Sequence, residues 1–108
     1  MYLPQIDVCE RVHEIVILVE MPGVERHDVA IGWKDQILTI SGVKRQQPDT
    51  SNARYMCVER SYGAFRREIA IGIPIEYRKA RAELKNGLMK IHLPKVPAEK
   101  VHDTIPIE

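Results

Sequence analysis

Apolar residues come in short clusters rich in Val and Ile, each closed within about a dozen residues by Gly, Pro, Asn or Asp, the rhythm of an all-β sandwich. Ile6 and Val8, with Glu10, form a first short alternating segment, and Glu14 to Glu20 is apolar on both faces, which predicts a central strand covered on each side. Met21-Pro22-Gly23 ends it, because proline removes a ladder donor and glycine takes the positive φ of a turn. Asp28 to Trp33 alternates, Lys34-Asp35-Gln36 reads as a turn, and Ile37 to Gly42 returns as the second arm of a hairpin.

The pattern then changes. Val43 to Ala53 has no apolar period and reads as an exposed loop, and Tyr55 to Val58 is a short strand standing alone between that loop and Ser61-Tyr62-Gly63. Phe65, Arg67, Ile69, Ile71 and Ile73 share one parity, a long strand weakened at its end by Gly72 and Pro74, with Ile75 to Lys79 as a connector. Ala80 to Lys85 and Leu88 to Leu93 flank Asn86-Gly87, a strong hairpin signal. Pro94 stops the last strand. Lys95 to Thr104 is a largely polar tail, and Ile105-Pro106-Ile107 places two aliphatic side chains one residue apart beyond it.

A chain of 108 residues holds one domain. With 16 Lys+Arg against 15 Asp+Glu there is no global field to steer it toward nucleic acid or anionic lipid. The longest uncharged apolar run, Ile15 to Val19, is far too short to cross a bilayer. The first residues lack the basic and apolar pattern of a secretory leader, so the expected compartment is the cytoplasm, where Cys9 and Cys57 stay reduced. His13, His27, His92 and His102 stand singly, and no Gly-x-Ser-x-Gly elbow or phosphate loop occurs, so no enzyme activity, metal or cofactor is expected. Lys44 to Arg67 interleaves basic and aromatic residues in a way that suits single-stranded nucleic acid, but solvated charge and ion pairs are the preferred reading.

What remains are edges. The Tyr55 to Val58 segment suits addition to an open sheet edge of a second subunit, and Ile105 and Ile107 suit anchoring in a groove between strands. A mobile end is the competing reading for the tail.

Several blocks resemble those of the α-crystallin domain of the small heat-shock proteins, bacterial, archaeal or plant type. They are Met21-Pro22-Gly23-Val24 with Asp28-Val29, Ile37-Leu38-Thr39-Ile40-Ser41-Gly42, Glu59-Arg60-Ser61-Tyr62-Gly63-Ala64-Phe65-Arg66-Arg67, and Ala82-Glu83-Leu84-Lys85-Asn86-Gly87-Leu88-Met89 followed by Leu93-Pro94-Lys95. Ile105-Pro106-Ile107 is similar to the family's tail motif. The resemblance implies an immunoglobulin-like antiparallel β-sandwich over 6–95, a short N-terminal remnant at 1–5, and a C-terminal extension at 96–108.

It further implies a dimer in which Tyr55, Met56, Cys57, Val58, Glu59 and Arg60 pair with the partner's Ile6 to Glu10, with Ile6 and Val8 in the interface. Arg67, in the position of the family's prominent arginine, is expected near that interface, held by carboxylates. The tail groove is expected at Val29, Ile31, Ala82 and Leu84. Two departures stand out: Ile71-Gly72 replaces the usual Leu-Pro, and only a few residues precede the domain where the family carries a hydrophobic arm. The implied function is ATP-independent holding of partly unfolded proteins by homo-oligomers built from dimers. A CS-domain-like adaptor that binds a folded chaperone is the alternative.

Overall fold

The structure is a computed structural model and describes residues 2–46, 52–97 and 105–107. Seven strands form: β1 (Ile6–Glu10), β2 (Glu14–Glu20), β3 (Val29–Lys34), β4 (Ile37–Lys44), β5 (Gly63–Ala70), β6 (Arg81–Lys85) and β7 (Leu88–Pro94). Two single 3₁₀ turns, Arg26–Asp28 and Tyr77–Lys79, join them, and no α-helix occurs among the described residues. The strands make two antiparallel sheets, ordered β1-β2-β7-β6 and β3-β4-β5. This is the expected all-β, immunoglobulin-like sandwich, an architecture that buries alternate residues of each sheet against the other.

The core follows from strand parity. Ile15, Ile17 and Val19 of β2 sit opposite Leu93, Ile91 and Met89 of β7, and all six are buried. Leu38 and Ile40 of β4 and Phe65 of β5 meet them from the second sheet. β2 is indeed central, paired on both sides, and Val16 on its outer face is buried as well.

Both tight hairpins use two consecutive residues of positive φ, as the twist of a two-residue connection demands. Asn86 and Gly87 adopt 54° and 77°, and Asp35 and Gln36 adopt 52° and 62°. Gly42 lies in the middle of the row Val29, Gly42, Phe65 across β3, β4 and β5. A Cβ there would overlap the Asp28 carbonyl oxygen and stand 3.0 Å from Phe65 Cζ and 3.1 Å from Val29 Cα.

The boundaries depart from the sequence reading in four places. β4 continues through Val43 and Lys44, expected as loop, because they pair with Ala64 and Gly63 and the Lys44 ammonium stacks 4.5 Å above the Tyr2 ring. Asp28, expected in the strand, lies in the 3₁₀ turn, where its buried carboxylate accepts from Arg45 Nε at 3.1 Å on both oxygens. β5 stops at Ala70, three residues before Ile73. The chain turns there toward Ile71, whose N–H donates to the Gln36 carbonyl at 2.9 Å.

The fourth difference concerns the connector and the start of the tail, which clamp each other. Ile75 is buried and bridges to Lys95, Glu76 N donates to the Pro94 carbonyl at 2.8 Å, and Val96 N donates to the Pro74 carbonyl at 3.1 Å. Residues 95 and 96 therefore belong to the body of the sandwich.

Candidate functional site

β3 and β6 are edge strands of different sheets, so a cleft opens between them along one side of the sandwich. Val29, Ile31, Ala82 and Leu84, the four expected groove residues, all line one cavity of about 380 Å³, together with Arg26, Glu83 and Met89. A second hollow of about 250 Å³ adjoins it, sharing Ile31 and Ala82 and adding Trp33, Tyr77 and Ala80. The two form one trough with aliphatic walls at Val29, Ile31, Ala82 and Leu84 and a charged rim at Arg26, Glu83 and Arg81. Such walls suit aliphatic side chains.

Ile105 and Ile107 are 85% and 99% exposed, so in the protomer neither has entered a groove. Segment 55–58 carries no strand, and Met56 is 94% exposed. The sequence expectation of a strand here is not met within one chain, since a strand exists only beside a partner that takes up its main-chain groups. Tyr55, Cys57, Val58, Glu59 and Arg60 instead line a shallow hollow of about 200 Å³ with Gln46 and Tyr62. β1 has one free edge, with Ile6 half-buried and Val8 49% exposed. Cys9 and Cys57 are both exposed free thiols.

Within the single chain, Arg67 Nη1 donates to the main-chain carbonyl of Pro4 at 2.8 Å. Residues 2–5, read from sequence as a remnant, are packed against the sandwich: Pro4 is fully buried and the Tyr2 ring meets Phe65 edge to face at 5.6 Å. Nothing in the local sequence announces this, because the contacts are with residues distant in the chain, Glu20 on one sheet and Lys44, Phe65 and Arg67 on the other.

The basic stretch from Lys44 to Arg67 is largely engaged internally. Lys44 is buried, Arg45 binds Asp28, Arg60 stacks 5.2 Å from Tyr62, Arg66 binds Glu68 at 2.9 Å, and Arg67 holds Pro4. Sequence reasoning also missed His92, which is buried between carboxylates: Nδ1 lies 3.3 Å from Glu14 Oε2, and Nε2 lies 4.0 Å from Glu83 Oε1. Among the described residues no helix is long and apolar enough to cross a membrane.

Comparison with known proteins agrees with this geometry. A family model described as Hsp20/alpha crystallin family matches residues 7–108. Heat shock protein 16 of Schizosaccharomyces pombe is 34% identical over 107 residues, 97% of this chain and 75% of that protein. Small heat shock protein C2 of Rickettsia felis is 33% identical over 93 residues, 86% of this chain but only 60% of that protein, so the chain spans about three fifths of that relative.

Among solved structures, heat shock protein 16.0 from Schizosaccharomyces pombe gives a TM-score of 0.86 at 32% identity, with 100% of both chains covered. The hspA structure from Xanthomonas axonopodis gives 0.80 at 28%, covering 91% of this chain and 98% of that one. With its two-sheet sandwich, its open trough and a family match over nearly the whole length, the chain belongs to the Hsp20/alpha crystallin family.

Proposed function

We propose that this protein holds partly unfolded proteins without nucleotide, and that it works as a homo-oligomer assembled from dimers. The observation that carries the reading is the coexistence, in one protomer, of an open trough with aliphatic walls and an exposed Ile105-Pro106-Ile107. A tail from one copy seated in the trough of another joins subunits. Each isoleucine contributes about 1.5–3 kcal/mol on burial before ordering costs, so a single tail binds weakly and several bind by avidity. A weak, sequence-tolerant trough with such walls is also what a chaperone needs, because the exposed surface of unfolded clients is apolar and varied.

Family membership supports the same conclusion, and the curated relatives are named as heat-shock proteins. In the dimer, Tyr55 to Arg60 of one copy lies along the free edge of β1 in the other, where Ile6 and Val8 are available, and the sandwich over 6–95 is the unit that pairs. The working compartment is the cytoplasm, where the two thiols remain reduced.

The test is light scattering by a heat-stressed client with the protein at stoichiometric dose and no nucleotide. Suppression is expected. Scattering unchanged at that dose refutes the assignment.

A further inference from the structure

Residues 2–5 tie the two sheets together at one end of the sandwich. On the first sheet, Tyr2 donates its hydroxyl hydrogen to the Glu20 carbonyl at 2.9 Å, and Glu20 N donates to the Gln5 carbonyl at 3.0 Å. On the second, the Tyr2 ring stands edge-on to Phe65, the Lys44 ammonium lies over its face at 4.5 Å, and Arg67 binds the Pro4 carbonyl at 2.8 Å. The tyrosine ring therefore fills a slot floored by Phe65, with a cation on its open side and a guanidinium aimed at a peptide oxygen two residues on.

This slot reads one ring, a few main-chain groups and, two residues on, the fully buried Pro4 side chain. Leu3, the residue between the two anchors, is exposed and contributes nothing to recognition. An extended segment with an aromatic residue and a compact apolar residue two positions later satisfies the same contacts. The present occupant is held by a handful of contacts, each modest in net terms. β2, by contrast, is secured by full ladders on both sides. Residues 2–5, which belong to no ladder, are secured by fewer main-chain bonds than β2 and so open at lower cost.

We propose that residues 2–5 are a displaceable strap, and that an extended segment of an unfolded protein bearing Tyr or Phe takes the slot between Phe65, Lys44 and Arg67 when the strap lifts. The slot is formed by β2, β4 and β5, whereas the trough lies between β3 and β6. It is therefore a second client site, self-occupied at rest. The inference rests on the holding activity proposed above.

The Glu20 amide reports on the strap, because its proton is bonded to Gln5. Hydrogen exchange is measured on the full chain for the wild type, Tyr2→Ala and Tyr2→Phe, alongside binding of a reduced, permanently unfolded α-lactalbumin followed by fluorescence. In Tyr2→Ala, Glu20 exchange is expected to rise about tenfold, the worth of one aromatic pair, while the Ile17 amide is unchanged. Client affinity is expected to rise by a similar factor. An acetylated Tyr-Leu-Pro-Gln amide should restore Glu20 protection in Tyr2→Ala and compete with client, whereas Ala-Leu-Pro-Gln should do neither.

Unchanged Glu20 exchange in Tyr2→Ala overturns the strap. Faster exchange with unchanged client affinity overturns the slot as a client site. If neither protein binds client at all but the tyrosine peptide still protects Glu20, the holding activity falls and takes the client occupant with it, while the slot stands. Should Tyr2→Ala fail to fold, Tyr2→Phe, which keeps the ring and loses the hydroxyl bond, must show a smaller rise in Glu20 exchange, and no rise overturns the strap.

Discussion

Replacing Gly42 with alanine tests how the second sheet and the trough are positioned. The added methyl has no free direction: it overlaps the Asp28 carbonyl oxygen, and its other close neighbours are Phe65 Cζ at 3.0 Å and Val29 Cα at 3.1 Å. Two of the three atoms are backbone, so rotamer changes alone cannot relieve the overlap, and β3 must move away from β4. Overpacking of this kind costs about 1–3 kcal/mol, and a clash with main chain belongs at the upper end. For a domain of this size about 3 kcal/mol lowers the melting temperature by roughly 12 °C or more.

The displacement has a functional arm as well. Val29, paired directly with Gly42, is a wall of the trough, so binding of an isolated tail peptide should weaken along with stability. Calorimetry on wild type and Gly42→Ala at matched protein concentration measures the first effect, since melting of an oligomer depends on concentration. Titration with an acetylated Thr-Ile-Pro-Ile-Glu peptide well below the melting temperature measures the second. A variant that melts within about 2 °C of the wild type, against the cost expected for overpacking, refutes the close approach of β3 to β4.

Changing Ile105 and Ile107 together to glycine should leave the dimer and abolish larger species in analytical ultracentrifugation, because the two anchors are the exposed apolar groups of the tail among the described residues. Gln36→Gly should stabilise the chain by up to about 1 kcal/mol in urea unfolding, since a side chain at a φ of 62° is strained and the gain is partly offset by the freer unfolded glycine. Burial, helped by the charge of Glu20, raises the Tyr2 phenol above its ordinary value of 10.0. The fold thus favours the protonated ring, and this contribution is complete below pH 10.0 and is lost as pH climbs through the raised value. Stability of the wild type relative to Tyr2→Phe should therefore fall only above that pH.

How far the sequence speaks depends on whether a residue's partner is near it in the chain or repeated in period. Ile15 to Val19 announced a central strand because burial on both faces leaves no polar position, and Asn86-Gly87 announced its hairpin because the required backbone suits those residues. The trough was legible through the family resemblance, which placed Val29, Ile31, Ala82 and Leu84 on facing edges. Lys44 was not legible: a lysine next to Arg45 reads as solvated until the Tyr2 ring is brought over it. The Pro4 carbonyl that accepts from Arg67 was not legible either, since a peptide carbonyl leaves no mark in the sequence. Asp28 and His92 were hidden for the same reason, each completed by residues such as Arg45 and Glu14 that only the sandwich brings close.

The mutual clamp of residues 74–76 with 94–96 has a metric consequence. Because Val96 is fastened to the sandwich, its position relative to the trough is fixed. Ile105 lies nine residue steps beyond Val96, and a fully extended chain of that length reaches no more than about 32 Å. If the motif docks in a neighbour's trough as proposed, that trough must lie inside a sphere of that radius. In an assembly joined in this way the tether caps the spacing between subunits, and adding or deleting tail residues would change that cap without touching either docking surface.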